Sequence, residues 1–291
     1  MKLALKLKRK EEPVIEELTA PKKVKRKIKK TGAYVGIDFF SNQIRISQLN
    51  KKGKEIRLEK VAFGKVPAEI YRAGRVANID LLANTIVELC QQAGINGSFA
   101  TVTLSGANSV VRTVTLPKMT RSQLRQTIEL QLGQFIPFPP EDTVYQYQVI
   151  GESMEEEMPM VEVLIVAGRY SYITPYLKAV VQAGFTPVAV KISYLSALSV
   201  LKRYYEDFAQ AVAIVDVRDR VTDVAFVAEN TFEFSRTIEM GLEGLLGKIA
   251  TQIGVSSADV QRKLVEGEID LAGGKEEEAA RLIEAVQSAF Q

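Results

Sequence analysis

The sequence predicts an α/β protein built from two related halves that face each other across a cleft. Two stretches 178 residues apart carry the first part of that prediction. Tyr34–Leu49 and Val212–Val227 each start as a β-rich run that ends in an aspartate, Asp38 or Asp216. Each then turns within about four polar residues and returns as an apolar strand. The second part is a regular alternation of helix-like and strand-like segments from Asp80 onward, the signature of α/β architecture. A duplicated hairpin would place both aspartates at strand ends beside the cleft, where ligands of α/β proteins bind; two unrelated hairpins with turn aspartates are the alternative.

Taken in order, each hairpin passes through a polar turn into a third strand, near Ile56–Phe63 in the first and Phe232–Ile238 in the second. Asp80–Gly94 reads as an amphipathic helix opened by an acidic cap and closed by glycine. Ser98–Leu104 and Val110–Leu116 are strands around a Ser105-Gly106-Ala-Asn turn. Thr120–Gln134 carries Leu124, Ile128 and Leu132 at helical spacing after a polar start. Val144–Ile150 and Val161–Ala167 are strands expected to be separated by an acidic, methionine-bearing loop. A helix over Ser171–Gln182, a strand over Thr186–Ile192 and a helix over Tyr194–Phe208 lead into the second hairpin. After it come helices over Leu242–Ile253, Asp259–Val265 and Glu276–Phe290.

At 291 residues, with 46% hydrophobic and 25% charged residues, the chain is ordinary for a globular protein of about two compact units. No apolar stretch approaches the roughly 20 residues of a membrane span, and the lysine-interrupted start does not fit a secretory signal. The single cysteine, Cys90, excludes an internal disulfide, and its helical context is that of a small buried hydrophobe. With no histidine, Ser-His and Cys-His catalysis and His-based metal sites are excluded for this chain. No carboxylate pair is spaced for acid–base work.

Charge is placed unevenly. Residues 1–30 carry a net +8, so the remainder carries −5. Such a segment, with Pro13, Pro21 and few aromatics, cannot bury enough apolar surface to offset its ordering entropy, and it is expected to be disordered. An anionic membrane surface is the partner it fits, weakly, at about 1 kcal/mol per basic residue. A solvated tail with no fixed partner fits as well. Nucleic acid fits less, because aromatic stacking groups are missing and the rest of the chain is acidic.

The central block is more specific. Leu116-Pro117-Lys-Met119 runs into an acidic helix, then Phe135-Ile136-Pro137-Phe138, then Tyr145-Gln-Tyr147. Together with Val163–Ala167, Ala183-Gly184-Phe185, Arg236–Gly241 and both hairpins, it resembles the PilM-type family of type IV pilus assembly proteins. The resemblance covers the chain from about Tyr34 onward. It implies an actin-like fold of two ribonuclease-H-like halves with a small inserted α/β subdomain. It also implies a cytoplasmic protein, peripheral at the inner membrane, that docks onto the N-terminal peptide of a PilN-like bitopic membrane protein and contacts other platform components. The implied divisions are a basic tail over residues 1–31, a first half over 32–111 and 186–209, the insert over 112–185, and a partial second half over 210–291.

By position, Asp38, Ser41, Asp216, Thr222 and Gly241 match the family's nucleotide site, with Asp38 and Asp216 holding Mg²⁺ if Mg-ATP binds. The chain departs from the pattern at both phosphate turns. The family's glycine, which lets backbone amides approach phosphate closely, is replaced by Phe40 in the first turn and Arg218 in the second. A strand and Gly-Gly loop that contact adenosine are expected after the helix at 276–291 and do not occur, so the second half is expected to be incomplete. The expectation is therefore a vestigial nucleotide site, no cofactor and no ATP turnover. A working actin-like ATPase or small kinase is the alternative these substitutions disfavour; a basic-tailed membrane-surface module is another. The resemblance also implies a partner groove beside the insert, expected at its rigid apolar turn on Phe135, Pro137 and Phe138; the alternative is that Phe135 and Phe138 simply fill the insert's core.

Overall fold

The computed structural model describes residues 5–6, 33–40, 42–53, 55–72, 74–204, 211–228 and 231–266. The first hairpin opens a meander of β2 (Tyr34–Phe40), β3 (Gln43–Lys52) and β4 (Glu55–Lys65), all antiparallel. β7 (Phe99–Leu104) then adds parallel to β2, and β11 (Thr186–Ile192) parallel to β7. A two-residue strand β1 (Leu5–Lys6) pairs antiparallel with β11 at the sheet's edge. It is the only described piece of the expected disordered tail; residues 1–4 and 7–32 lie outside the described residues.

Period-two alternation sends Val35, Ile37 and Phe39 of β2, with Ile44 and Ile46 of β3, to one buried face. That face receives α1 (Ile79–Gln92), through Leu82, Ala83, Ile86 and Cys90, and α3 (Tyr170–Gln182), through Ile173, Tyr176, Leu177 and Val180. α1 starts one residue earlier than the sequence predicts, because Asn78 is the cap and its side chain accepts the Leu81 amide. Between β4 and α1 lies a short hairpin of β5 (Tyr71–Arg72) and β6 (Arg75–Val76).

A second sheet has the order β8 (Ser109–Pro117), β10 (Met158–Arg169), β9 (Thr143–Glu155), with antiparallel pairing throughout. The acidic stretch between β9 and β10 is not the loop expected from the sequence. The strands continue through it to a tight turn at Glu156 and Glu157, both at positive φ (47° and 69°). Tight hairpin turns with both central residues left-handed are signalled in sequence by Asn-Gly or Asp-Gly, which this turn lacks. α2 (Arg121–Phe135) covers one face of this sheet with Leu124, Ile128 and Leu132. A capping box between Thr120 and Gln123 starts α2. It ends at Ile136, held extended by the following Pro137.

The expected insert over 112–185 divides in its packing. β8, α2, β9 and β10 share one core, whereas α3, at its end, packs into the core of the first sheet. A helix following β10 turns back onto α1 because its apolar stripe has no free face left on the small sheet.

The second hairpin repeats the first as β12 (Val212–Val217), β13 (Thr222–Ala228) and β14 (Thr231–Ile238). α4 (Ser193–Tyr204) lies between this third sheet and the small one, where Tyr194, Leu195 and Leu198 meet Ile214, Val227, Phe232, Val111 and Leu164. α5 (Leu242–Ile253) and α6 (Ser257–Val265) pair around Leu246, Ile249 and Val260, and the turn between them uses Gly254 at φ 73°. The helix expected over 276–290 lies outside the described residues. Among the described residues no helix is long and apolar enough to cross a membrane.

Candidate functional site between the two hairpins

Asp38 and Asp216 sit near the ends of β2 and β12, at equivalent places in the two hairpins. Two residues on, Phe40 and Arg218 are likewise equivalent. The structure brings all four together. The Arg218 guanidinium donates from Nε to Asp216 Oδ2 (2.9 Å), from Nη2 to Asp38 Oδ1 (3.2 Å) and from Nη1 to the Phe39 carbonyl (3.1 Å). It also lies 4.8 Å from the centre of the Phe40 ring, and Arg45, paired with Asp38 across β2 and β3, lies 4.0 Å from the same ring. Three acceptors in three directions suit the fixed fork of a guanidinium; an ammonium could not meet them in one geometry.

Electrostatics explain why the arrangement holds. The Arg218 side chain is only 4% exposed, and those of Asp38 and Asp216 are about one quarter exposed, at 24% and 25%. Burial by itself would lower the Arg218 pKa, but the two carboxylates more than reverse it and keep the guanidinium charged. For Asp38 burial prevails: its carboxyl is raised above the ordinary value although Arg218 and Arg45 both pull it down. Two acids therefore face two arginines in a partly dry cleft.

The turn that carries Arg218 is fixed from behind. Its own amide donates to the Val221 carbonyl at 2.9 Å, closing the turn, while the first two amides of α5, on Leu242 and Glu243, donate to the carbonyls of Arg218 (2.7 Å) and Asp219 (2.8 Å). This approach explains Gly241: a Cβ there would collide with the backbone of Arg218, Asp219 and Arg220. Thr222 donates its hydroxyl to the Met240 carbonyl (2.7 Å), tying β13 to the same junction. Thr222 and Gly241 thus have structural partners inside the second half, and Ser41 lies outside the described residues.

Two further aspartates, not singled out in the sequence, complete the junction. The Asp219 carboxylate accepts the Asn42 amide of the first hairpin's turn at 2.9 Å. Asp223, fully buried, accepts the Gly106 amide at 2.7 Å and the Thr237 hydroxyl at 2.6 Å. Gly106 lies so close that a Cβ would strike the Asp223 carboxylate. The signal was present as an acid–base run, Asp216-Val-Arg-Asp-Arg-Val-Thr-Asp223, in a hairpin turn. Such a run ordinarily marks a solvated face, and only the tertiary contact shows that it is buried.

The donor set as it stands does not fit a metal-bound nucleotide. A cation between Asp38 and Asp216 would have to displace the guanidinium, the Asn42 amide faces a carboxylate instead of a phosphate, and the amides at the start of α5 are taken by carbonyls. Beside the ion cluster lies a cavity of about 450 Å³ bordered by Asn42, Tyr71, Tyr176, Arg218 and Glu243.

The expected partner residues lie elsewhere, on the small sheet. Phe135 and Phe138 are half-buried against its core, the Phe135 carbonyl accepts Arg112 Nη1 at 3.0 Å, and Arg169 stands 4.8 Å from the Phe138 ring centre. Pro137 is exposed, whereas Ile136 between them is the buried anchor.

Comparison with known proteins bears on this geometry. A solved structure described as a PilM–PilN type IV pilus biogenesis complex superimposes with a TM-score of 0.72 at 19% identity, covering 88% of this chain and 73% of that one. Its likeness is one of fold: an α/β architecture with two hairpin-led sheets and a further small sheet. Weaker matches are the cytoplasmic domain of EpsL, an inner-membrane component of the Vibrio cholerae type II secretion system, and the ethanolamine utilization protein EutJ from Carboxydothermus hydrogenoformans. The first has 15% identity and a TM-score of 0.44, covering 75% of each chain. The second has 10% identity and a TM-score of 0.47, covering 95% of this chain and 71% of that one. The family described as type IV pilus assembly protein PilM matches residues 36–272, which take in both hairpins, the small sheet and the ion cluster. The chain belongs to that family of type IV pilus assembly proteins.

Proposed function

We propose that this protein is a cytoplasmic scaffold of a type IV pilus assembly platform, docking onto the N-terminal peptide of a PilN-like membrane protein at the inner membrane without binding or turning over ATP. Family membership supports the pilus role, and the PilM–PilN complex supports the kind of partner. One observation carries the nucleotide-free part: Arg218 is held between Asp38 and Asp216, the two aspartates that the family resemblance implies for a metal-bound nucleotide. An actin-like fold offers a scaffold with defined grooves between its sheets, and docking a peptide requires no hydrolysis.

Calorimetric titration of the purified protein with Mg-ATP tests the first part. No saturable binding is expected up to millimolar nucleotide, a regime of about −4 kcal/mol. Micromolar binding abolished by Asp38→Ala and Asp216→Ala would overturn it. Titration with the N-terminal peptide of a PilN-like protein, with and without Mg-ATP, tests the second. Saturable binding of equal affinity in both conditions is expected, and no binding at all would sink the docking assignment.

A further inference from the structure

The contacts across the cleft share a direction. Side chains from one short stretch, Arg218, Asp219 and Asp223, reach acceptors and donors of the first half at Asp38, Phe39, Asn42 and Gly106. Their signs are ordered: a cation lies between the hairpin aspartates, and an anion lies on the amide of the first hairpin's turn. Charge is also matched in number, because Asp38 and Asp216 face Arg218 and Arg45, two negative against two positive. Without Arg218 the two carboxylates keep only Arg45 opposite them, an excess of negative charge that a divalent cation between them would offset. The turn presenting these groups is pinned by the amides of α5, so the side chains are held ready instead of recruited.

We propose that Arg218 and Asp219 form an intramolecular ligand, the guanidinium standing in for a cation and the carboxylate for an anion, which keeps the cleft occupied and holds the two halves together permanently. This chain then carries its cleft ligand in its own sequence. The closed arrangement then needs nothing from solution, and the space under the guanidinium is a divalent-cation site that opens only when Arg218 is removed. The proposal concerns the chain alone and is independent of any pilus partner, so failed peptide docking would leave it standing.

The test uses the full chain and two readouts that a merely space-filling arginine would not move. The first is Mn²⁺ binding followed by electron paramagnetic resonance, on the wild type, Arg218→Ala and Arg218→Gln, the last retaining bulk if the alanine variant does not fold. Uptake of one Mn²⁺ at submillimolar concentration by a folded variant, with none by the wild type, is expected. Equal binding by the wild type, or none by either variant, overturns the cation half. The second is amide hydrogen exchange. In the wild type the Asn42 amide should be protected and unchanged by added Mg-ATP, and Asp219→Ala should speed its exchange at least tenfold while β8 and β10 stay as before. Unprotected Asn42 in the wild type, or exchange unchanged by Asp219→Ala, overturns the anion half.

Discussion

Removing the Arg218 guanidinium perturbs stability in a way that depends on pH, and the sign can be worked out. Arg218→Ala deletes three hydrogen bonds and leaves Asp38 and Asp216 facing each other with their shared counter-charge gone. Breaking a buried ion pair by deleting one partner typically costs about 3–5 kcal/mol. The two carboxylates here are about a quarter exposed, at 24% and 25%, so water recovers part of that and a loss of roughly 2–4 kcal/mol is expected at neutral pH. Asp38 already has its carboxyl raised in the folded state by burial. A carboxyl raised on folding stabilises the fold below its ordinary pKa of 3.8, and that contribution is lost as pH rises through the raised value. Without Arg218 the raise grows, because the group that opposed it is gone. The variant's deficit should therefore be larger at about pH 7.5 than at about pH 5, because a carboxyl raised further takes up its proton sooner as pH falls. Urea denaturation of both proteins at the two pH values measures it. In an Asp38→Asn/Asp216→Asn background the same substitution should lose little beyond packing. A deficit below about 1 kcal/mol at pH 7.5, or one that does not shrink at pH 5, would refute the assignment of the ion cluster as a structural tie.

The remaining expectations are simpler. Gly241→Ala has no room for its methyl against the Arg218–Arg220 backbone, so it should destabilise by about 3 kcal/mol or more in a thermal or urea melt, and a change below about 1 would show that the turn yields easily. Cys90 is buried, and burial pushes its thiol up to about 12, so the native protein should react with a thiol reagent only as fast as it opens; immediate stoichiometric labelling would contradict this packing. Ile136→Ala should cost about 2–5 kcal/mol, while Pro137→Ala, at an exposed position, should leave the melt almost unmoved and weaken partner-peptide binding. If every folded variant of this turn binds the peptide like the parent, the docking surface is elsewhere. Vesicle binding through residues 1–30 should weaken sharply between low and physiological salt and vanish on truncation at Thr31; salt-insensitive binding would argue against simple charge attraction.

Much of the fold was legible because its elements are locally consistent. The alternation of Val35, Ile37 and Phe39, the Leu124–Ile128–Leu132 stripe and the Thr120 cap each state their own structure. The places where the sequence misled have physical causes. A left-handed turn made by Glu156 and Glu157 carries no glycine to announce it, so an acidic hairpin tip looks like a loop. The place of α3 depends on which of two sheets has a free apolar face, and that is a property of the assembled layers, which the helix's own periodicity does not carry.

The ion cluster was half legible for a related reason. Loss of glycine at Phe40 and Arg218 was visible as two separate departures, each read as damage to a phosphate turn. The structure shows them to be one feature, since equivalent positions of a duplicated hairpin meet where the halves face each other. A single replacement would have left a misfit: Phe40 alone would crowd a glycine turn, and Arg218 alone would lack the ring and the Phe39 carbonyl around its guanidinium. The pair satisfies both, with the charge taken up by Asp38 and Asp216. In this chain the two aspartates thus have a structural use, as acceptors for the arginine of the second turn. The residues to inspect beside the two aspartates of this chain are those two positions on in each hairpin, where Phe40 and Arg218 meet and fill the space between the halves from within.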